Sequence, residues 1–128
     1  IKEWELNATS ATLLKDEDKA VLVDVSVVFF TENNKKVLLT SRKGILNSKT
    51  HDMEFSDTVV VTYETIVLRT DKLHYKKKEH IIYSDSHVEL EKADSVIEAD
   101  SMKSILNKNN IILEGHVKGI FSENFNFQ

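Results

Sequence analysis

The chain has 128 residues with no cysteine, no proline and three glycines, Gly44, Gly115 and Gly119. Lacking cysteine, it leaves its redox compartment open, since a disulfide-free chain suits cytoplasm and bacterial periplasm equally. No apolar run approaches the roughly 18 residues of a membrane span. Basic residues are in deficit: 17 Lys and Arg stand against 21 Asp and Glu, for a net charge of -4. A nucleic-acid binder is expected to carry a basic excess or stripe, so nucleic acid is not an expected partner. The lysines cluster in "ENNKKV", "YKKKEH" and "NKNN", which read as solvated loop tips. The length fits one domain, residues 1–128, that buries a core without metal or disulfide help. The chain begins at Ile1, and a leader or membrane anchor is expected upstream.

Turns in a β-protein usually fall at Gly and Pro. Here clusters of Asn, Asp, Ser and Lys take that role: "KDEDKA", "TENNKK", "NSKTHD", "YKKKEH" and "NKNN". Between them apolar residues alternate with period two. Val21, Val23, Val25, Val27 and Phe29 share one parity; Val37, Leu39 and Ser41 follow, then Val59, Val61 and Tyr63, then Ile66, Leu68 and Thr70. Such runs, rich in Val, Ile, Thr and Phe, predict strand after strand. In "KADSVIEADSMKSILNKNN" the apolar residues jump faces at Ser101, so no helical stripe holds and strands are expected there too.

The alternation repeats. With a shift of 29, Leu39 falls on Leu68 and then Ile97, Ser41 on Thr70 and Ala99, Gly44 on Leu73 and Met102, and Val59 on Val88 and Val117. Near "FSDT" and "YSDS" the copies slip by one residue, the signature of a bulge. Three two-strand units run from about 37 to 121, with a looser fourth before them. Stacking one such unit predicts about eight strands in two facing antiparallel sheets, odd-numbered residues inward.

Residues with catalytic or metal chemistry are sparse. His87 and His116 match across repeats, but each precedes an inward Val and so faces out. Equivalent positions two strands apart lie ~9.6 Å from each other, too far to share a zinc at ~2 Å per ligand. Asp16, Glu17 and Asp18 fit a hairpin tip, and Asp24, Asp57 and Asp85 recur at turn-to-strand junctions suited to Asx bonding. No Ser–His–Asp order, phosphate loop or nucleotide fingerprint is present. The expectation is a non-enzyme with no catalytic residue, no cofactor and no metal.

Several stretches together resemble a known family. "W-x-L-x-A" at Trp4, Leu6 and Ala8 is followed by "V-x-V-x-F-F" over 25–30, "L-x-S-x-x-G-x-L" over 39–46 and "M-x-F-x-D-x-V-x-V" over 53–61. Their order resembles the periplasmic domain of the lipopolysaccharide-export LptC family and its LptA/OstA relatives, over about residues 4–121. The resemblance implies an all-β antiparallel β-jellyroll folded as an open V, with an apolar groove between its sheets. It implies a passive conduit receiving lipopolysaccharide from an inner-membrane ABC transporter and passing it to LptA, in the periplasm, on an N-terminal membrane helix absent from this chain. The expected groove lining is Leu39, Phe55, Val59, Val61, Leu68, Leu73, Tyr75, Val88, Leu90, Ile97 and Val117. Edge strands at Trp4, Leu6 and Ala8, and at Ile112, Val117 and Ile120, would add to partner strands. Alternating apolar residues also fill any β-sandwich core. A structural or adhesive module with a closed core is therefore the alternative, and the soluble bridge protein LptA is another.

Overall fold

The computed structural model describes residues 3–121. Twelve strands follow one another: β1 (Trp4–Asn7), β2 (Ser10–Leu14), β3 (Lys19–Phe30), β4 (Lys36–Asn47), β5 (Met53–Tyr63), β6 (Ile66–Lys76), β7 (Ile81–Ser84), β8 (Val88–Lys92), β9 (Ser95–Ala99), β10 (Ser101–Ile105), β11 (Ile112–Glu114) and β12 (Lys118–Ile120). A single 3-10 turn, Lys15–Glu17, joins β2 to β3. Every pairing is antiparallel and all twelve strands belong to one sheet. The fold is a β-jellyroll, and the segment 92–110 that lacked a helical stripe forms β9 and β10. With so little glycine, the hairpins place other residues at positive φ: Asp18, Asn34, His51, Glu64, His80, Ala93 and Asn109. Asn and Asp tolerate that region best, which is why polar clusters mark the turns.

The pairing resolves into eight passes of the chain: β1 with β2, β3, β4, β5, β6, β7 with β8, β9 with β10, and β11 with β12. Each pass has two halves. In one layer lie β1, residues 25–30 of β3, 36–40 of β4, 59–63 of β5, 66–70 of β6, then β8, β9 and β12. In the other lie β2, residues 19–23, 43–47, 53–56 and 72–76 of the same long strands, then β7, β10 and β11. Between the halves every pass is kinked or broken, so the sheet folds along one transverse crease. Phe29 and Tyr75 demonstrate the fold. They belong to opposite layers with β4 and β5 between their strands, yet their ring centroids are 4.6 Å apart.

The crease also resets which residues face inward. Asp24 adopts a positive φ of 51°, and the inward set changes from Ala20 and Leu22 to Val25, Val27 and Phe29. Val21 and Val23 therefore face out and are exposed, contrary to the single parity expected for that run. In β4 the inward residues pass from Val37, Leu39 and Ser41 to Gly44, and in β6 from Leu68 and Thr70 to Leu73 and Tyr75. The pairing register shifts between Thr40 and Lys43 where β4 meets β5, and between Ser56 and Val59 where β5 meets β6, with Asp57 and Thr58 both at positive φ. This is the bulge that the slipped repeat anticipated.

Small residues let the crease close. A Cβ on Gly44 would stand 3.0 Å from Val25 Cγ2, so bare backbone is what brings the halves together there. Ser41, Thr70 and Ser84 are buried at the bend, each with its hydroxyl satisfied. The Ser86 N–H donates to Ser84 Oγ (3.1 Å), Ser84 Oγ meets Thr70 Oγ1 (2.9 Å), and the Thr70 hydroxyl donates to the His87 carbonyl (2.9 Å). This relay ties the break between β7 and β8 to the bend of β6. Thr70→Val keeps the shape but strands the His87 carbonyl and one serine partner, so it should cost about 1–3 kcal/mol in urea unfolding. An unchanged midpoint would show that the relay does not hold the bend.

Candidate functional site

Folding the sheet turns its apolar face into facing ladders. In the first layer a row runs Leu6, Val27, Leu39, Val61, Leu68, Leu90, Ile97 and then Gly119, each directly opposite the next. Seven steps of ~4.8 Å make this row about 34 Å long. A second row nearer the crease includes Val59, Thr70, Val88 and Ala99. The opposite layer contributes Gly44, Phe55 and Leu73, and Leu46, Met53, Tyr75 and Ile82.

Of the expected groove residues, Leu39, Phe55, Val59, Val61, Leu68, Leu73, Tyr75, Val88, Leu90 and Ile97 are all buried between the layers. The interior is filled by these side chains: Phe29, Tyr75, Phe55, Leu39 and Leu73 have no exposure. Val117 stands apart, 56 % exposed just before β12, where among the described residues no further pass covers the inner face. Val27 and Phe29, inward by the expected parity but left out of the expected groove lining, are fully buried with these residues. Two clefts of about 550 and 320 Å³ lie away from these rows. The larger is charged, lined by Thr50, Asp52, Lys76, Lys78, Glu79 and Ile81; the smaller lies over Asp24, Arg42 and Thr58 at the crease.

Opposite the crease the two layers meet at a margin held by side-chain contacts and one main-chain to side-chain hydrogen bond. The Glu32 N–H donates to Asn107 Oδ1 (3.3 Å), the Tyr63 hydroxyl donates to Asn109 Oδ1 (3.4 Å), and Trp4 meets His51 edge-on at 6.1 Å. Among the described residues no backbone–backbone hydrogen bond crosses from one layer to the other. Within a layer the turns are tied by ion pairs such as Lys35–Glu64 and Lys49–Asp18. The Glu64 hydrogen bond, followed by its charge, raises the Lys35 ammonium above its usual range, while Lys72 lowers Glu54. Exposed pairs of this kind contribute little to stability.

Both ends of the stack are open. β1 and β2 pair only with β3, β11 only with β10 and β12 only with β9, leaving free strand edges among the described residues. Trp4 and Leu6 are half-buried on the inner face, and Ala8 is exposed between β1 and β2. Ile112 and Ile120 are exposed on the outer side of the final pass. Apolar inner-face groups are uncovered at each end, Leu13 at one and Val117 at the other. His116 is exposed at the last break, where Asp100 accepts its Nδ1 hydrogen bond at 2.6 Å and raises its pKa above the ordinary histidine value. The tail from Ser122 lies outside the described residues.

A folded sheet of stacked passes, apolar inside and unpaired at both ends, has relatives among solved structures. Thirteen chains match, among them LptH of Pseudomonas aeruginosa, described as the LptA-homologous periplasmic component of the lipopolysaccharide transport device. The two share 11 % identity with a TM-score of 0.72, covering 93 % of this chain and 94 % of that one, which defines the fold as LptA-like. No curated protein sequence matches. The family description "Lipopolysaccharide-assembly, LptC-related" matches residues 1–122, and the chain belongs to that family. Membership and fold together support a role in lipopolysaccharide transport. No helix among the described residues is long and apolar enough to cross a membrane.

Tyr75 reports on how tightly the interior is shut. Its ring is fully buried and its hydroxyl lies 3.4 Å from His80 Nδ1. Burial first, then the charges of Glu3 and Asp52, push the phenol up to about 12. An unfolded tyrosine titrates near 10, so the folded state keeps a proton that the unfolded chain loses. That contribution is complete below about pH 10 and lost as pH rises through about 12. Unfolding free energy should therefore fall across this window by on the order of 2 kcal/mol more in wild type than in Tyr75→Phe. A gap between the two that does not vary with pH would mean the phenol is solvated.

Proposed function

We propose that the protein relays lipopolysaccharide through the periplasm, taking it from an inner-membrane ABC transporter and handing it to LptA. The acyl chains lie between the two layers, against Leu39, Phe55, Val59, Val61, Leu68, Leu73, Tyr75, Val88, Leu90 and Ile97, and leave past Val117. The observation that carries this reading is the unbroken apolar ladder from Leu6 to Ile97, spanning seven passes and closed along one margin with no backbone–backbone hydrogen bond among the described residues. A chain of a dozen methylenes gains roughly 10 kcal/mol gross on leaving water. That gain is large against two exposed hydrogen bonds of about 1 kcal/mol each, so a lipid can substitute for the packing it displaces as the margin splays. The site selects by apolarity and carries no chemistry, so net movement draws on ATP hydrolysis by the transporter. Free edges at β1/β2 and β11/β12 would accept neighbouring strands and continue the trough. The anchoring helix expected in this family would lie upstream of Ile1.

A second reading is favoured by one observation, the complete burial of Phe29, Tyr75, Phe55, Leu39 and Leu73. A core filled to that degree suits a structural or adhesive module whose layers never part. Photocrosslinking separates the two. A crosslinker at Leu68 or Val88, with an active transporter present, should trap lipopolysaccharide well above the level at Lys77 in the β6–β7 turn. Equal yields at all three would remove the conduit.

The absence of native cysteine allows a second test. Cysteines introduced at Glu32 and Asn107 should lock the margin when oxidised, abolish that crosslinking and release it again on reduction. Unimpaired loading of the oxidised protein would mean that lipid does not enter between the layers.

A further inference from the structure

The outer face of the C-terminal half carries a cluster that belongs neither to the interior nor to the edges. His87 is the last residue before β8, Glu89 follows two positions on, and Glu98 stands directly opposite Glu89 on β9. Residues two apart on a strand share a face, and directly opposed residues have Cβ atoms ~5 Å apart. A pleated sheet thus aims three side chains at one point. His87 Nε2 lies 3.9 Å from Glu89 Oε1 and 3.7 Å from Glu98 Oε1, and one ligand atom from each residue falls within 4.8 Å of the others. Tetrahedral zinc with bonds of ~2.0–2.1 Å sets its ligand atoms about 3.3 Å apart. The widest gap therefore needs to shrink by about 1.5 Å, within reach of χ rotations in partly exposed side chains.

Charge points the same way. Among the described residues His87 is the only group within ion-pair distance of Glu89 or Glu98. Arg69 faces Glu89 across β6 and β8, but its guanidinium is engaged by Glu91 at 2.8 Å. Lys118 faces Glu98 from β12 without closing on it. Two carboxylates that share one imidazole keep net negative charge in either protonation state of the ring, and a dication neutralises it.

We propose that His87, Glu89 and Glu98 bind a zinc ion on the outer face between β8 and β9, with water completing its coordination. One imidazole and two carboxylates suit zinc, whereas Mg²⁺ and Ca²⁺ take oxygen ligands. The ion would clasp β8 to β9, the strand that holds β12 and with it the C-terminal edge. Ligation needs the neutral imidazole, so acid releases the metal.

Calorimetric titration of the chelator-stripped protein with zinc chloride at neutral pH, paired with thermal unfolding, tests the site. One zinc per chain is expected, with a raised melting temperature and no comparable response to Mg²⁺. His87→Ala and Glu98→Gln should each weaken binding by at least about tenfold, while His116→Ala, at the neighbouring pair with Asp100, leaves it unchanged. All three positions are exposed or half-exposed, and circular dichroism checks that the variants fold. No heat and no thermal shift at millimolar zinc would overturn the site, as would zinc binding that survives both the His87 and Glu98 changes, or magnesium binding as tight as zinc.

Discussion

A sheet with one apolar face must hide that face, and here it does so against itself. The crease is the constraint on which everything else depends. Each pass must bend at the same level, and the chain achieves this by different local means: positive φ at Asp24, a bulge at Asp57 and Thr58, and complete strand breaks at Asp85–His87, Asp100 and Gly115–His116. Small or hydroxylated residues fill the inside of the bend, where Gly44, Ser41, Thr70, Ser84 and Ala99 lie. A large side chain on that line would hold the halves apart. The buried hydroxyls cost little because each finds a partner within the bend.

Much of this was legible from residue order alone. Alternation gave the strands, polar clusters gave the hairpins, and the 29-residue shift correctly aligned Leu39, Leu68 and Ile97 on one row. What alternation does not carry is the phase change at the crease. A single αL residue such as Asp24 has no Gly or Pro to announce it, and Val21 and Val23 share the apolar character of Val25 and Val27. Their outward orientation emerges only when the sheet bends. The grouping of His87, Glu89 and Glu98 was hidden for another reason. His87 was compared with His116, two strands away, whereas its neighbours are Glu89 on β8, which it immediately precedes, and Glu98 across a tight hairpin. Whether the facing rows make a packed core or an openable trough is not written in periodicity, because both require the same inward residues.

The bonding is strongly directional. Along the stack, every pass is stitched to the next by backbone hydrogen bonds, and the long strands β3 to β6 pair over most of their length. Across the stack, cohesion comes from apolar packing and a few exposed polar contacts. Such a body resists stretching and shear between passes more than parting of its layers. The proposed conduit would exploit that asymmetry, with lipid travelling along the stiff direction and entering along the soft one.

Modularity has a geometric corollary. Because each 29-residue unit contributes two passes and both end passes keep a free edge among the described residues, the length of the stack is a count of units and not a property of any one of them. Inserting another unit would lengthen the body by about 10 Å while leaving every existing rung with the same neighbours, save at the junction. Reach across a gap is thus adjustable by duplication, without redesign of the cross-section.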